Sequence, residues 1–568
     1  MKDSSRREFL ERTFASALGC AALAGGSAAY AQPTGQRRPN VVLIMTDDQG
    51  FGDLGRHGNP HIKTPNLDRL HDESLRFTQF YVCPVCAPTR ASLMTGRYNY
   101  RTGAIDTYLG RAMMHADEVT MAELLGGAGY RTGIFGKWHL GDTYPLRAMD
   151  NGFQESVVHH GGGIGQPSDP PGNRYFDPVL KHNGEAKRYT GYCTDIFTDA
   201  AMAFIEQNRE HPFFVYLSTN APHTPLQIAE EYVEPYRAMG LEEETAKVYG
   251  MITNIDDNVG RLMKKLSALG VAQDTIVIFL TDNGAQGSRH QPSRYSANQR
   301  GRKGSVYEGG IHVPCFVRWP AALEGGKAID RIAAHIDLLP TFLDACGVAC
   351  PDELHLDGRS LMPLLAGEAT AWPDRSLFFQ WHRGDEPEPF RACAVRTQRY
   401  KLVDGKELYD LLADLGEQED VAGQHPDVVA KLRAEYEAWF KDVSETRGYA
   451  PPRILLGAPQ ENPVTLTRQD WRGAQGWSDR DLGHWEVDVV QGGLYDCTLR
   501  FTPVRTDTTV TLKLGGLRQQ QQVAKGSEAC VFREMPLDAG PGRLEAILRF
   551  NGRSAGVRYV DVLARQAQ

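Results

Sequence analysis

The length, composition and charge of the chain exclude several classes of protein before any motif is considered. Its 568 residues, with 41% apolar and 23% charged residues, match a globular protein of roughly three to four domains. The 71 acidic residues outnumber the 62 basic ones, whereas a nucleic-acid binding protein usually carries a basic surplus. Ten cysteines are too few for a scaffold built on disulfides.

The first 31 residues have the pattern of an export signal. Arg6-Arg7 precede an uncharged stretch over 13–31, and Ala29-Tyr30-Ala31 places small residues where a signal peptidase cleaves. The pattern resembles a twin-arginine signal peptide. A membrane anchor is the alternative, but much of the stretch is Ala and Gly. We expect the twin-arginine machinery of a bacterium to export the chain. The mature protein would begin near Gln32, carry no transmembrane segment, and be periplasmic or secreted.

Three continuous apolar runs indicate buried strands of a parallel sheet. They cover residues 41–45, 213–217 and 275–280. Helical patterns lie between them, including one that starts at Pro65 after Thr64 and a longer one over 248–269 that Gly270 closes. Strands that alternate with helices predict an α/β catalytic domain over 32–370, with a largely parallel central sheet and helices on both faces.

The pattern changes after about residue 370. Short strands at 400–403 and 407–409, followed by a helix near 426–440, predict a small α+β subdomain over 371–450. Beyond Ala450-Pro451-Pro452, alternating apolar residues predict an all-β accessory domain over 451–568, like a β-sandwich. We expect its glutamine run at 519–522 to be a loop. Cys497 and Cys530 are candidates for a disulfide after export.

Polar residues follow two of the buried strands. Asp47 and Asp48 follow the first strand, and Asp282 and Asn283 follow the strand at 275–280. Ligands of α/β sheets collect at the carboxyl ends of strands, and these oxygen donors suit Ca²⁺ or Mg²⁺. The same residues are also typical of turns, so spacing alone leaves both interpretations open.

The segment that begins at Cys83 carries a specific motif. Cys83 and Cys86 have the spacing of a redox pair or of half a zinc site, but no second pair completes a zinc site. The residues from Cys86 onward resemble the sulfatase signature, Cys-x-Pro-Ser-Arg followed by Leu/Met-x-Thr-Gly-Arg. They read Cys86-Ala87-Pro88-Thr89-Arg90 and then Leu93-Met94-Thr95-Gly96-Arg97. Thr89 departs from the commonest form but keeps the hydroxyl. Later elements of the family are matched, in order, by 136–141, 221–225, 301–304 and 308–310.

The chain thus resembles the formylglycine-dependent sulfatases of the alkaline-phosphatase-like superfold over about residues 39–450. The resemblance implies that a maturation enzyme oxidises Cys86 to formylglycine. It implies a divalent ion, Ca²⁺ or else Mg²⁺, held by Asp47, Asp48, Cys86, Asp282 and Asn283. It also implies catalytic roles, or places in the sulfate pocket, for Cys86, Arg90, Lys137, His139, His223 and Lys303.

The implied reaction is chemically coherent with these residue types. A hydrated aldehyde offers two hydroxyls, one of which attacks sulfur. His223, assisted by Lys303, protonates the departing alcohol, and His139 takes a proton from the second hydroxyl so that sulfate leaves. The cationic side chains and the metal stabilise the charge that develops. Pro88 and Thr89 indicate a helix start, which places residue 86 where the helix dipole favours an anion.

We therefore expect a sulfuric ester hydrolase acting on a sulfated carbohydrate or an aryl sulfate. The alternatives are a phosphate or phosphonate monoesterase of the same superfold and a non-catalytic glycan-binding relative. His159, His382 and Arg383 lie in predicted loops and are candidate substrate contacts. The catalytic and metal positions all precede residue 304. The accessory domain, either a lid or a sugar-binding module, is therefore not expected to take part in the chemistry.

Overall fold

The computed structural model describes residues 38–287, 290–368 and 372–565. The predicted signal segment over 1–31 lies outside the described residues. Within those residues, no helix combines the length and the apolar character needed to cross a bilayer.

An eleven-stranded sheet lies at the centre of the largest part of the chain. Its five central strands run parallel to one another, as predicted: Thr275–Thr281, Asn40–Thr46, Phe213–Ser218, Arg131–Gly136 and Glu155–Val158. On one side the sheet continues with His312–Arg318, Leu75–Tyr81, Ala328–Ile329 and Ala333–Ala334. On the other side it continues with Val179–His182 and Glu185–Arg188. The prediction of a largely parallel sheet is confirmed.

Helices cover both faces of this sheet, which explains the apolar runs. Val41 and Leu43 pack into one hydrophobic core, whereas Val42 and Ile44 pack into the core on the opposite face. The first core includes the helices Cys86–Thr95, Met121–Gly127 and Leu338–Ala345. The second includes Pro65–Asp72, Cys193–Asn208 and Glu243–Ala268. A strand buried on both faces exposes no polar side, so its sequence does not alternate.

Shorter helical elements connect these layers. They are the helices Asn99–Thr102, Glu230–Ala238, Glu308–Ile311 and Met362–Leu365, and the 3₁₀ turns Gly55–His57, Ala148–Asn151 and His335–Asp337.

A four-stranded antiparallel sheet follows, in agreement with the predicted α+β subdomain. Its strands are Leu377–Gln380, Cys393–Arg396, Tyr400–Val403 and Glu407–Asp410. The helix Pro426–Glu445 packs on it through Leu432, Tyr436 and Trp439, which share one hydrophobic core with the sheet.

Two further sheets form the C-terminal β unit, which we define as residues 451–565. One contains Ile454–Leu456, His484–Val489, Gly540–Phe550, Thr508–Leu514, Leu517–Val523 and Arg553–Gly556. The other contains Val464–Thr467, Tyr559–Ala564, Gly493–Arg500 and Ala529–Leu537. Both sheets contribute to one hydrophobic core, as expected of an all-β unit with sandwiched sheets.

The glutamine run at 519–522 is a strand, so the prediction of a loop was wrong. It lies in Leu517–Val523, which pairs with Thr508–Leu514 and ends the order of its sheet. Gln520 and Gln522 donate side-chain hydrogen bonds to threonine hydroxyls of the neighbouring strand. An exposed edge strand needs no apolar alternation, which is why the pattern gave no strand signal.

The candidate disulfide is not formed in the described C-terminal unit, where Cys497 and Cys530 are both free thiols. The strand register places Cys497 opposite Phe532 and Cys530 opposite Leu499. The two cysteines therefore do not form a direct cross-strand pair.

Lys401 provides a test of the contact between the small sheet and the main domain. Its Nζ lies 3.0 Å from Glu308 and 2.8 Å from Glu417, and all three side chains are fully buried. Removing one partner of a buried ion pair leaves an uncompensated charge, which costs about 3–5 kcal/mol. We expect Lys401→Met to lower the free energy of unfolding by that amount in urea denaturation.

Lys327→Met is the matched control for this experiment. Lys327 pairs with Glu324 at the surface, where both side chains are more than half exposed. Exposed ion pairs contribute about 0–1 kcal/mol. Equal decreases in the free energy of unfolding of the two variants would show that the buried ion pairs of Lys401 contribute no more than an exposed pair.

Candidate active site

The carboxyl ends of two central strands bring four predicted metal ligands together. Thr46 lies opposite Thr281 in the parallel register. The Asp48 N–H donates to Asp282 Oδ1 at 3.2 Å, and Asn283 Nδ2 donates to Asp48 Oδ1 at 2.8 Å. The structure thus joins residues that lie 234 positions apart in the chain.

Each buried carboxylate of this group has a cationic partner. The pairs are Lys137 with Asp47 (Nζ–Oδ2 2.6 Å), Lys303 with Asp48 (Nζ–Oδ1 2.5 Å) and Arg90 with Asp282 (Nη2–Oδ2 2.6 Å). Unpaired carboxylates would be costly to bury, so these contacts are needed for the anions to lie side by side.

The balance of charges differs between the carboxylates. Burial and the charge of Asp47 raise the pKa of Asp282 to about 6, although Arg90 opposes the shift. Burial also disfavours ionised Asp48, but the charge of Lys303 and the hydrogen bonds from Lys303 and Asn283 outweigh it and hold the pKa of Asp48 well below its usual range. Asp48 is therefore the most firmly ionised of the two.

Three oxygens of the cluster have no hydrogen-bond partner among the described residues. They are Asp47 Oδ1, Asp48 Oδ2 and Asn283 Oδ1, all of them buried. Ligand atoms of Asp47, Cys86 and Asp282 also lie within 4.8 Å of one another. Buried polar atoms are almost always satisfied, and carboxylate and amide oxygens are the donors that Ca²⁺ and Mg²⁺ prefer. The donor set therefore fits a divalent cation.

Cys86 is the first residue of the helix Cys86–Thr95, which ends at Gly96 with a φ of 67°. Its Sγ lies 3.4 Å from His139 Nδ1. Burial raises the pKa of the Cys86 thiol in spite of the nearby charges of Lys137 and Lys303. Cys83 is also a free buried thiol, and its Sγ lies 3.3 Å from His335 Nε2.

Two histidines face this centre in defined tautomers. His139 Nε2 lies 2.7 Å from the Thr107 carbonyl, so it donates there and leaves Nδ1 as an acceptor toward Cys86. His223 Nδ1 lies 2.6 Å from the Thr224 carbonyl, which leaves Nε2 as the acceptor. Burial and nearby lysine charges lower the pKa of His223 to about 3 and that of His139 well below its usual range. Both rings are therefore neutral near pH 7.

A cavity of about 600 Å³ opens above Cys86. Its lining includes the predicted residues Cys86, His139, His223, Lys303 and Arg383. Arg90 and Lys137 are fully buried and bind carboxylates beneath it. The six predicted catalytic positions thus lie in two layers, one that lines the cavity and one that supports it.

The other two candidate substrate contacts lie outside this cavity. His159 is buried, has its Nδ1 2.9 Å from the His160 carbonyl, and borders a separate cavity. His382 Nε2 accepts a hydrogen bond from the backbone N–H of Glu388 at 2.8 Å. Neither histidine is among the residues that line the cavity above Cys86.

Several lining residues were not predicted individually as site residues. They are Thr107, Tyr108, Gln166, Gln286, Arg302, Trp381 and Trp477. Arg302 precedes the predicted Lys303, and Trp381 precedes the candidate contacts His382 and Arg383. Trp477 comes from the C-terminal β unit, and no local pattern places it in a site that lies far away in the chain.

The backbone of the glycine-rich loop at 161–163 packs closely against the rings of His139 and His223. A methyl group at Gly162 would lie 2.9 Å from the His139 ring, and one at Gly163 would lie 3.4 Å from His223 Nδ1. Contacts below 3.0 Å force a shift, so Gly162 is needed for the backbone to approach the ring this closely.

We expect Gly162→Ala to displace His139 and to lower kcat for sulfate-ester hydrolysis about 10²-fold, the order caused by a misplacement of about 1 Å. Gly423→Ala is the matched control, because a methyl group there meets nothing within 4 Å. Steady-state kinetics with an aryl sulfate gives both values. Wild-type kcat in Gly162→Ala would show that the loop tolerates a side chain beside His139.

Comparison with known proteins identifies the class. The family model described as Sulfatase matches residues 39–348, and one described as N-sulphoglucosamine sulphohydrolase, C-terminal, matches 302–442. The chain therefore belongs to the sulfatase family, whose members hydrolyse sulfate esters, and it has the alkaline-phosphatase-like fold of that family.

Named relatives place the chain among enzymes. Human arylsulfatase A is 35% identical over 396 residues, which cover 64% of this chain and 74% of that protein. Human N-acetylgalactosamine-6-sulfatase is 32% identical over 381 residues, which cover 61% and 69%. The crystal structure of Ps i-CgsB in complex with k-i-k-neocarrahexaose is 29% identical, with a TM-score of 0.66 over 73% of this chain and 95% of that one. The protein is thus a sulfatase, a hydrolase of sulfuric esters.

Proposed function

We propose that this sulfatase removes sulfate from a sulfated saccharide, with a formylglycine made from Cys86 and a bound divalent cation. The observation that carries the proposal is the group of three buried, unpartnered oxygens beside Cys86 at the start of a helix. Such a centre can bind a cation, and the helix N-terminus can stabilise an anionic group at residue 86.

Asp47, Asp48, Asp282 and Asn283 would hold the cation, which we propose to be Ca²⁺, with Mg²⁺ as the alternative. When bound, it supplies positive charge to the sulfate group and to the nucleophile. The cationic side chains of the protein then have two roles. Arg90 and Lys137 neutralise the carboxylates beneath the cavity, and Lys303 presents its charge at the cavity wall.

The state of the Cys86 thiol supports its conversion by a maturation enzyme. Burial raises its pKa, so the unmodified side chain stays protonated near pH 7, and a thiol is a poor nucleophile compared with a thiolate. Formylglycine, as an aldehyde hydrate, supplies a hydroxyl nucleophile and a second hydroxyl. His139 Nδ1 lies 3.4 Å from the side chain of residue 86 and can accept a proton from it.

The side chains of His223 and Lys303 are suited to the leaving group. His223 and Lys303 both line the cavity, and although burial opposes the shift, the negative charges of Asp48 and Asp47 raise the pKa of Lys303. Lys303 stays charged, so it can orient a sulfate ester and donate a proton to the departing alcohol oxygen, while the neutral His223 offers Nε2 as a hydrogen-bond acceptor beside it.

The saccharide assignment rests on the rim of the cavity. Tyr108, Trp381 and Trp477 offer aromatic surface there, and Arg302 and Arg383 offer positive charge. Aromatic rings beside a few polar groups are typical of ligand pockets. The solved relative bound to a neocarrahexaose is consistent with such a ligand. A phosphate or phosphonate monoester is the second candidate, since cations and a divalent ion also suit a phosphoryl group.

We further propose that the protein acts in the periplasm or outside the cell after twin-arginine export, on the basis of Arg6-Arg7 and the uncharged stretch that follows. The mature chain would then begin near Gln32.

Cys86→Ala tests the role of this residue, with Cys83→Ala as the matched control. We expect Cys86→Ala to lose several orders of magnitude in the turnover of 4-nitrophenyl sulfate, because the precursor of the nucleophile is gone. Cys83→Ala should keep most of its activity. Mass spectrometry of wild type should show the aldehyde at residue 86, and the intact mass should fit a start near Gln32.

Two results would contradict the proposal. Wild-type rates in Cys86→Ala would exclude a covalent role for residue 86. Faster turnover of 4-nitrophenyl phosphate than of 4-nitrophenyl sulfate by the modified wild-type protein would favour the phosphate-ester alternative.

A further inference from the structure

We propose that the C-terminal β unit is a working part of the active site, in which Gln469 positions His139 and Trp477 contacts the saccharide that carries the sulfate. The choice of a saccharide rests on the proposed function, whereas the role of Gln469 rests on the geometry and on sulfatase activity alone. The inference revises the expectation from sequence that the chemistry does not need this unit.

The unit and the catalytic domain share one hydrophobic core. Leu109, Met113 and Leu146 of the catalytic domain are buried in the same cluster as the apolar side chains of both C-terminal sheets. The Gly110 N–H donates to the Gln469 carbonyl at 2.9 Å. The C-terminal unit is therefore packed against the loop at 104–116 and is not a freely attached module.

Gln469 reaches the carbonyl that sets the tautomer of His139. Its Nε2 donates to the Thr107 carbonyl at 2.9 Å, and His139 Nε2 lies 2.7 Å from the same oxygen. Gln469 is buried, and its Nε2 lies 3.4 Å from His139 Nε2. Two N–H donors do not bond each other, so the amide acts on the ring through the Thr107 carbonyl that both groups donate to, and it thereby holds the direction of His139 Nδ1 toward residue 86.

Trp477 extends the rim of the cavity from the same unit. Its ring meets Tyr108 edge-on with 4.8 Å between the centroids, and the Arg383 guanidinium lies 4.3 Å from the Tyr108 centroid on the catalytic side. The Trp477 carbonyl accepts a hydrogen bond at 2.6 Å from Arg468, whose side chain is buried. The indole is therefore held in place at the mouth of the cavity.

The chemistry of this rim defines what it recognises. Tyr108 and Trp477 offer apolar ring surface, and Arg383 offers a charge that is half exposed. The apolar face of a sugar ring can pack on such surfaces, while a guanidinium binds an anionic or hydroxyl substituent. We infer that the rim binds either the sugar unit that carries the sulfate ester or the neighbouring sugar unit of the saccharide.

The test uses the full chain and four variants. Gln469→Glu keeps the shape of the side chain but removes the N–H donor. Gln521→Ala is its control, because Gln521 makes a similar amide–carbonyl bond at 3.0 Å on the exposed side of the same unit. Trp477→Ala removes the indole, and Leu494→Ala removes an exposed apolar side chain of the unit that does not line the cavity. Thermal unfolding confirms that each variant folds.

We expect Gln469→Glu to lower kcat for 4-nitrophenyl sulfate at least about tenfold with little change in KM, because a misdirected His139 affects the chemical step and not binding. If Gln469 had a purely structural role, Gln469→Glu would lower the unfolding temperature and leave the kcat of the folded fraction unchanged. Wild-type kcat in Gln469→Glu would overturn the positioning role.

For Trp477→Ala we expect KM to rise about tenfold for sulfated carrageenan or glycosaminoglycan oligosaccharides, whichever the wild type desulfates fastest. Both control variants should retain wild-type kinetics. Wild-type KM in Trp477→Ala would overturn the substrate contact. If the wild type hydrolyses the aryl sulfate but no saccharide, the proposed saccharide substrate is wrong, and the Gln469 variant still decides whether the unit belongs to the site.

Discussion

The compensation of buried negative charge determines how this active site is built. Asp47, Asp48 and Asp282 lie together because parallel strands end at the same edge of the sheet, and each needs a positive partner to remain ionised there. Arg90, Lys137 and Lys303 come from three different segments, so the site forms only when those segments have packed. Among the described residues, the same pairs leave three oxygens without hydrogen-bond partners, and we propose that a cation binds to these oxygens.

The cationic residues of these charge pairs fall into two groups: those that support the site from below, and one that faces the cavity. The resemblance to sulfatases implies that Arg90, Lys137 and Lys303 line one sulfate pocket, but of these three only Lys303 lines the cavity in the structure. Arg90 binds Asp282 and the backbone carbonyl of Lys137 and has no exposed surface. We therefore propose that Arg90 acts through the carboxylate of Asp282, whose position it holds.

Much of this arrangement was predictable because it depends on local patterns. Continuous apolar runs predict strands buried on both faces, and Asp47 and Asp282 follow such runs directly. The strand at 519–522 was missed because an exposed edge strand shows no alternation. Gln469 and Trp477 were missed for a different reason. Their positions depend on the packing of one unit against another, and no feature of a local sequence reports that packing.

The most direct test of this account is the divalent metal content of the purified protein, measured by elemental analysis after dialysis into metal-free buffer. The account predicts about one tightly bound Ca²⁺ or Mg²⁺ per chain. In Asn283→Ala, where one of the unpartnered oxygens is removed, the ion should be lost together with aryl-sulfate turnover, and excess Ca²⁺ should restore part of both. A wild-type protein that retains no divalent ion, and whose turnover is unaffected by a chelator, would contradict the account.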